Sequence, residues 1–394
     1  MTEDLITDLS KISGLFVIAR NSSFSYKGKQ VKVRQVAEEL GVRYVLEGSV
    51  RRADKQVRVN AQLIDATTGG HLWAERYDGS MADVFALQDR VTQKIVSALA
   101  VQLAARSETQ TVQGGTKNAA AYDEFLQGWE HYKRRTPADF VKAVRFFERA
   151  VEMDPEYGRA YAALAIVYWK SWLWSVLTMS PAINVTWTRR LQIPLVYAPD
   201  RAKEYLQKAM NNPTPLAYQV ASEMRWRERQ YDEALAKAEG AIALNTNDPV
   251  GYVAMAEVLI YSGRAKEAVQ FVEKAMRLDP HSAVNLYLLG LAHFSMGQMD
   301  KAATLFKRGV KRSPFSQWWN VPLAATYAHL GRDQDAQAAL REWAGMIGLL
   351  DIVDLWPFRD VDIAEHFAVG VVKAGVCCDA GLERYLSDLR NRDP

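Results

Sequence analysis

Hydrophobic spacing divides the chain into two regimes. In the first, Leu5, Ile6, Leu9 and Ile12 fall on one face of a helix that Thr2 can cap and Gly14 stops. The unbroken apolar run LFVIA, residues 15–19, predicts a short buried strand. Val33, Val36, Ala37 and Leu40 mark an amphipathic helix over 31–41, with Gly41 as its C-cap. Between Tyr44 and Asp78 the period drops to two. Val57, Val59, Ala61 and Leu63 alternate with Arg58, Asn60 and Gln62, as a strand with one wet face requires. RADKQ and ATTGG read as the turns of two successive hairpins. Val84, Leu87, Val91, Ile95 and Leu99 then restore helical spacing over 83–103. The order predicts a small α/β layer domain over residues 1–106.

Residues 107–118, SETQTVQGGTKN, are polar and aperiodic and read as a linker. Beyond them the chain repeats itself. Ala234, Ala268, Ala302 and Ala336 stand 34 residues apart, and Pro280 and Pro314 keep the same step. A 34-residue helix–turn–helix unit with small residues at fixed offsets is the tetratricopeptide pattern. The alanines belong where the two helices of a unit cross closely, and proline ends the second helix before the next unit. The pattern predicts a solenoid of about six helix pairs over 119–348. In the second pair the start Tyr161, Leu164, Ala165, Tyr168 is followed late, at 201–210, by its partner helix, which implies a tryptophan-rich insert at 169–199. Residues 349–394 leave the register and read as helices capping the solenoid's open end. The fold class is therefore an α+β module followed by an all-α solenoid.

Composition adds mostly exclusions. Apolar residues make up 49% of the 394, enough for sizeable cores, so global disorder is excluded. Lys and Arg total 49 against 46 acids, so the chain as a whole gives no electrostatic case for nucleic acid or an anionic membrane. The local excess at Arg51, Arg52 and Lys55 reads as a guard on an exposed hairpin edge. Cys377 and Cys378 are adjacent and offer neither a staple nor metal-ligand spacing. Residues 161–180 are too interrupted, by Lys170, to read as a membrane span. No phosphate loop, dinucleotide fingerprint, metalloprotease helix or nucleophile elbow is present, and the six histidines are scattered. No catalytic, cofactor-binding or metal-binding residue is expected.

The better candidate is the concave face that stacked first helices present. Counting the helix period from Tyr161, Tyr218, Tyr252 and Leu286, one inner position holds Trp169, Trp226, Ile260 and Phe294. A second holds Glu223 and Glu257, and a third Gln219 and Tyr287. An apolar stripe flanked by acids suits an extended or helical peptide carrying basic residues.

The stretches TEDLITDLSKISGLFVIARNSSFSYKGK and ELGVRYVLEGSVRRADKQVRVNAQLIDATTGGHLWAERYD resemble the TolB N-terminal-like domain of bacterial signalling proteins. WPFRD at 356–360 is similar to the usual ending of the cyclase-linked group. The resemblance implies a module lying between an output domain and tetratricopeptide repeats. That output domain is commonly a class III adenylate/guanylate cyclase, or a winged-helix domain in CadC-type regulators. Every segment here is already assigned, so no cyclase catalytic residue carries over. The resemblance also implies a strand before TEDLI. Its absence would leave an open sheet edge, available for strand addition or self-association. The expected function is a non-catalytic interaction or signalling module binding a protein or peptide. Its alternatives are the detached regulatory half of a cyclase and the sensory part of a winged-helix regulator. The expected compartment is the cytoplasm, or the periplasm if the chain comes from a membrane-anchored parent.

Overall fold

The computed structural model describes residues 2–10, 15–53, 56–80, 84–100, 115–134, 136–178, 197–313, 319–341 and 356–375, with 382–383 and 386–387. The N-terminal module runs α1 (Thr2–Ser10), α2 (Arg20–Phe24), α3 (Val33–Leu40), β1 (Tyr44–Ala53), β2 (Gln56–Asp65), β3 (Gly70–Ser80) and α4 (Val84–Ala100). The strands form an antiparallel sheet in the order β1-β2-β3, with Tyr44 opposite Asp65 and Gln56 opposite Ser80. Val57, Val59, Ala61 and Leu63 are buried on one face of β2, as the alternation predicts. Leu87, Val91 and Ile95 of α4 and Leu5 and Leu9 of α1 cover that face. The result is two layers, helices on one face of the sheet. Among the described residues no strand pairs with the outer edge of β1 or of β3.

LFVIA is not a strand, against the sequence expectation. The run is apolar because it bridges two bodies. Leu15 and Val17 pack on the module's core, while the Ala19 amide donates to the Leu278 carbonyl of the repeats at 2.8 Å. Asn247 also donates to the Leu15 carbonyl, so both ends of the run find backbone partners in the repeats and not in the sheet.

Six antiparallel helix pairs follow. They are α5/α6 (Ala119–Arg134, Pro137–Met153), α7/α8 (Gly158–Thr178, Ala198–Ala209), α9/α10 (Pro215–Arg227, Tyr231–Leu244), α11/α12 (Pro249–Tyr261, Ala265–Leu278), α13/α14 (Ala283–Ser295, Met299–Arg312) and α15/α16 (Asn320–His329, Asp333–Leu340). Ala234, Ala268, Ala302 and Ala336 have no accessible surface, so the 34-residue repeat marks the close crossings. Threonine or aspartate caps several starts, with proline at the first turn: Thr136, Thr214 and Asp248 each accept a backbone amide.

The turn inside each pair is equally regular. Gly263, Gly297 and Gly331 all take left-handed backbone (φ +86°, +71° and +68°) and stand 34 residues apart. One step earlier the position is Arg229, at φ +63°, the one non-glycine with positive φ among the described residues.

Helix α7 continues to Thr178, and most of the predicted insert, like most of the 107–118 linker, lies outside the described residues. So do 342–355 and most of the last predicted helix. Beyond them α17 (Val361–Lys373) packs on α15. The segment before α17 reaches back across earlier pairs, beyond what an end cap would touch.

Candidate interaction groove

The inner positions of the first helices are mostly buried, Trp169 in the core of the first two pairs and Trp226, Ile260, Tyr287 and Phe294 in that of the later ones. Trp169, Glu223, Trp226, Ile260, Tyr287 and Phe294 are all buried, while Gln219 and Glu257 are half-buried. Two different neighbourhoods account for the burial.

The first is a charge cluster on α7, α9 and α11. The Lys170 ammonium donates to both oxygens of Glu223 at 2.6 Å, and Arg227 Nε lies 3.5 Å from the same carboxylate. Burial alone would raise Glu223, but Lys170 and then Arg227 outweigh it and hold its carboxyl below the usual range. Glu257, one repeat on, lacks such a direct partner among the described residues. Burial, and then repulsion from Glu223, push its carboxyl up to about 7. Trp226 lies between this cluster and the apolar stripe. It stacks on Tyr261 (4.3 Å between centroids, 7° between planes), and the Arg227 guanidinium lies 4.5 Å from its ring centre.

The second neighbourhood is made by the chain itself. Trp356, Pro357, Phe358 and Arg359 cross the same face of the later pairs. The Trp356 indole donates to the Tyr287 hydroxyl at 2.8 Å. The Tyr231 hydroxyl donates to the Pro357 carbonyl at 3.1 Å, and the Arg359 amide to the Tyr261 carbonyl at 2.7 Å. Phe358 packs on Tyr261 at 5.2 Å. Asp360 then caps α17 through the amides of Asp362 and Ile363, and Phe367 meets Phe294 edge-on at 5.8 Å. His366 stacks flat on His329 (3.6 Å, 12°), while the His329 ring Nε2–H donates to the His366 carbonyl at 2.7 Å. Burial lowers both imidazoles, His366 to about 4, so both are neutral near pH 7.

Two things escaped sequence reasoning. Lys170 reads in the sequence only as the charge interrupting an apolar helix; its equivalent one unit on is Arg227, and its partner Glu223 stands one helical turn earlier on that helix, so no shared register position pairs them. The WPFR segment stood out only as a resemblance, because nothing in its period places it on a helix face.

The basic hairpin tip has a second use. Arg52 pairs with Asp123 of α5 at 2.7 Å, tying the module to the first repeat. The larger tie is the segment following α1. Asn247 Nδ2 donates to the carbonyls of Ser10 and Leu15 at 2.7 and 2.9 Å. Ser22, fully buried, donates to Asp279 at 2.6 Å and accepts from the His281 amide at 2.9 Å. Arg20 pairs with Glu130 at 2.9 Å. Among the described residues no three His, Cys, Asp or Glu side chains gather as a metal site, and no helix is long and apolar enough to cross a membrane.

Comparison with known proteins bears on the repeats and on part of the chain's relationships. The family "Anaphase-promoting complex, cyclosome, subunit 3" matches residues 227–309. A relative from Rhizobium meliloti (strain 1021), named "Putative adenylate cyclase 3", is 53% identical over 167 residues, which are 42% of this chain and 28% of that protein. "Hsp70-Hsp90 organizing protein 1" of Glycine max is 29% identical over 92 residues, 23% of this chain and 16% of that protein. The chain thus spans under a third of these relatives' length. Among solved structures, a thermophilic TPR protein of Thermus thermophilus aligns at 16% identity and a TM-score of 0.31, covering 64% of this chain and all of that one. The 34-residue helix pairs, their buried alanines and the family match over 227–309 together make the region from α9 to α16 an array of tetratricopeptide repeats, with α5 to α8 stacked on it as two further helix pairs.

Proposed function

We propose that the chain is a non-catalytic interaction module of a signalling protein, and that its repeats dock a protein or peptide partner. The N-terminal module is, in this reading, a TolB N-terminal-like domain. The observation that carries the proposal is the half-open cluster on α7, α9 and α11. Its Lys170, Gln219, Arg227 and Glu257 retain access to solvent, beside Trp226 and the paired Glu223. A groove that is apolar at its floor and charged along one wall favours an extended segment whose own charges complete the cluster.

Panning a random peptide library against the purified chain tests this. Enriched peptides should lose at least tenfold in affinity on Gln219→Arg or Glu257→Gln. Enrichment indifferent to both substitutions would refute the site.

The second reading is a regulatory part acting on a class III cyclase, favoured by the 53% identity with the cyclase-named relative. Cyclic nucleotide formation would be measured for the purified chain alone and mixed with that relative's remaining portion. The expected result is none from the chain alone and a changed rate in the mixture. Activity in the chain alone would overturn the non-catalytic assignment.

A further inference from the structure

The inner face of these repeats is already reading a peptide. Four consecutive residues, Trp356 to Arg359, cross α10, α11 and α13 the way a bound segment does. Two contacts are made by main chain: the Pro357 carbonyl accepts from Tyr231 and the Arg359 amide donates to the Tyr261 carbonyl. Two side chains fill pockets: Trp356, hydrogen-bonded to Tyr287, and Phe358, between Tyr261 and Phe367. The Arg359 guanidinium lies 5.6 Å from the Tyr231 ring centre. None of the four belongs to the 34-residue register, so nothing in repeat packing demands them there. The Phe358 amide donates to the Trp356 carbonyl at 2.8 Å, so the segment turns tightly at Pro357 and presents two aromatic rings together with main-chain groups, the anchors by which a short linear motif is held. The half-open cluster at Glu257 and Trp226 adjoins this occupied stretch through the Trp226–Tyr261 stack.

We infer that the face formed by α11, α13 and the start of α10 is a linear-motif site held shut by the chain's own Trp356–Arg359, and that a partner opens it by presenting an aromatic–proline–aromatic–basic segment of its own. The inference rests on the proposed docking function and names the partner's chemistry. A tethered occupant competes at an effective concentration in the millimolar range, so a partner must either bind tightly or first engage the adjoining open cluster. The open cluster then acts first, as the landing point, and the stretch under Trp356–Arg359 is filled second.

The probe is a labelled synthetic peptide carrying residues 356–373. Its binding to the full chain and to the full-length double variant Trp356→Ala/Phe358→Ala would be followed by fluorescence anisotropy. The variant should bind at least tenfold more tightly than the unmodified chain, and Tyr287→Phe in that background should weaken binding. Equal affinities, or no binding by a variant that keeps its helical circular dichroism, would overturn the inference. Hydrogen exchange on the unmodified chain covers a variant that misfolds. The Arg359 amide and those of α17 should exchange by local opening, faster than α11 and α13. Exchange only through global unfolding would overturn the inference, as would a chain that trades this segment with a second copy into a stable dimer. Failure here leaves the Gln219 and Glu257 tests standing, so the two readings fail separately.

Discussion

Arg229 occupies a left-handed turn that its three repeat equivalents fill with glycine. A residue with a Cβ loses roughly 1–2 kcal/mol there. Glycine would recover that but give back about 0.5–1 kcal/mol through the extra freedom of the unfolded chain. The net sign favours glycine. Arg229→Gly should stabilise the protein by about 0.5–1 kcal/mol in chemical denaturation, and an unchanged or lowered midpoint would show that the turn is unstrained. Glu257 offers a pH-dependent counterpart. Its carboxyl is pushed up to about 7 from 4.5, so the folded state disfavours its charged form. No cost arises below pH 4.5. The cost grows between 4.5 and 7 and is complete above 7. Glu257→Gln should therefore be more stable than the unmodified chain by roughly 1–3 kcal/mol at about pH 8, with the difference closing as the pH falls to 4.5. A difference independent of pH would remove the titration from the explanation.

At the level of elements, the segment from Ser10 to Phe24 joins the α/β module to the repeats with buried polar contacts. Ser22→Ala leaves the His281 amide and one Asp279 oxygen without the hydroxyl that now serves both, at a cost of about 1–3 kcal/mol. Thermal unfolding should shift accordingly, and the Ala19 amide should exchange faster. A silent substitution would mean that water replaces the hydroxyl. This segment also shows where the sequence stopped being legible. The helices, the three strands, the β2 alternation and the alanine crossings all follow from local periodicity, which is a property of one element at a time. LFVIA looked like a strand because burial reads the same whatever does the burying. Its partner across the junction is Leu278, far along the chain in the fourth helix pair. The groove residues were legible for the same reason as the repeats, since Trp226, Ile260 and Phe294 recur in register. What lies over them was not, because Trp356 and Phe358 arrive from outside the register.

Across the whole molecule, both flanks of the array are fastened to it. The N-terminal module holds the turns at 245–247 and 279–281, and the C-terminal segment holds α10, α11, α13 and α15. Repeat arrays in which each unit touches only its neighbours unfold piecewise, with ends fraying first. Here the C-terminal segment adds contacts between non-adjacent units. The chain should therefore show one sharp denaturation transition over residues 215–373. Trp356→Ala/Phe358→Ala should broaden it or split it in two. A double variant that unfolds as sharply as the unmodified chain would show that neighbour contacts alone set the cooperativity.

The crossing from Tyr231 through Tyr261 and Tyr287 to His329 also has a mechanical meaning. Stacked helix pairs behave as a spring, whose pitch and curvature breathe because each unit can tilt slightly on the next. A segment fixed at several points across the inside of that curve works as a string on a bow. While it holds, the third to sixth pairs are tied to one another, and their spacing cannot grow without breaking the hydrogen bonds at Tyr231, Tyr261, Tyr287 or His329. Released, the same units become compliant. A tug or a ligand at one of these pairs is therefore passed to the others while the segment holds, and is absorbed locally once it is released.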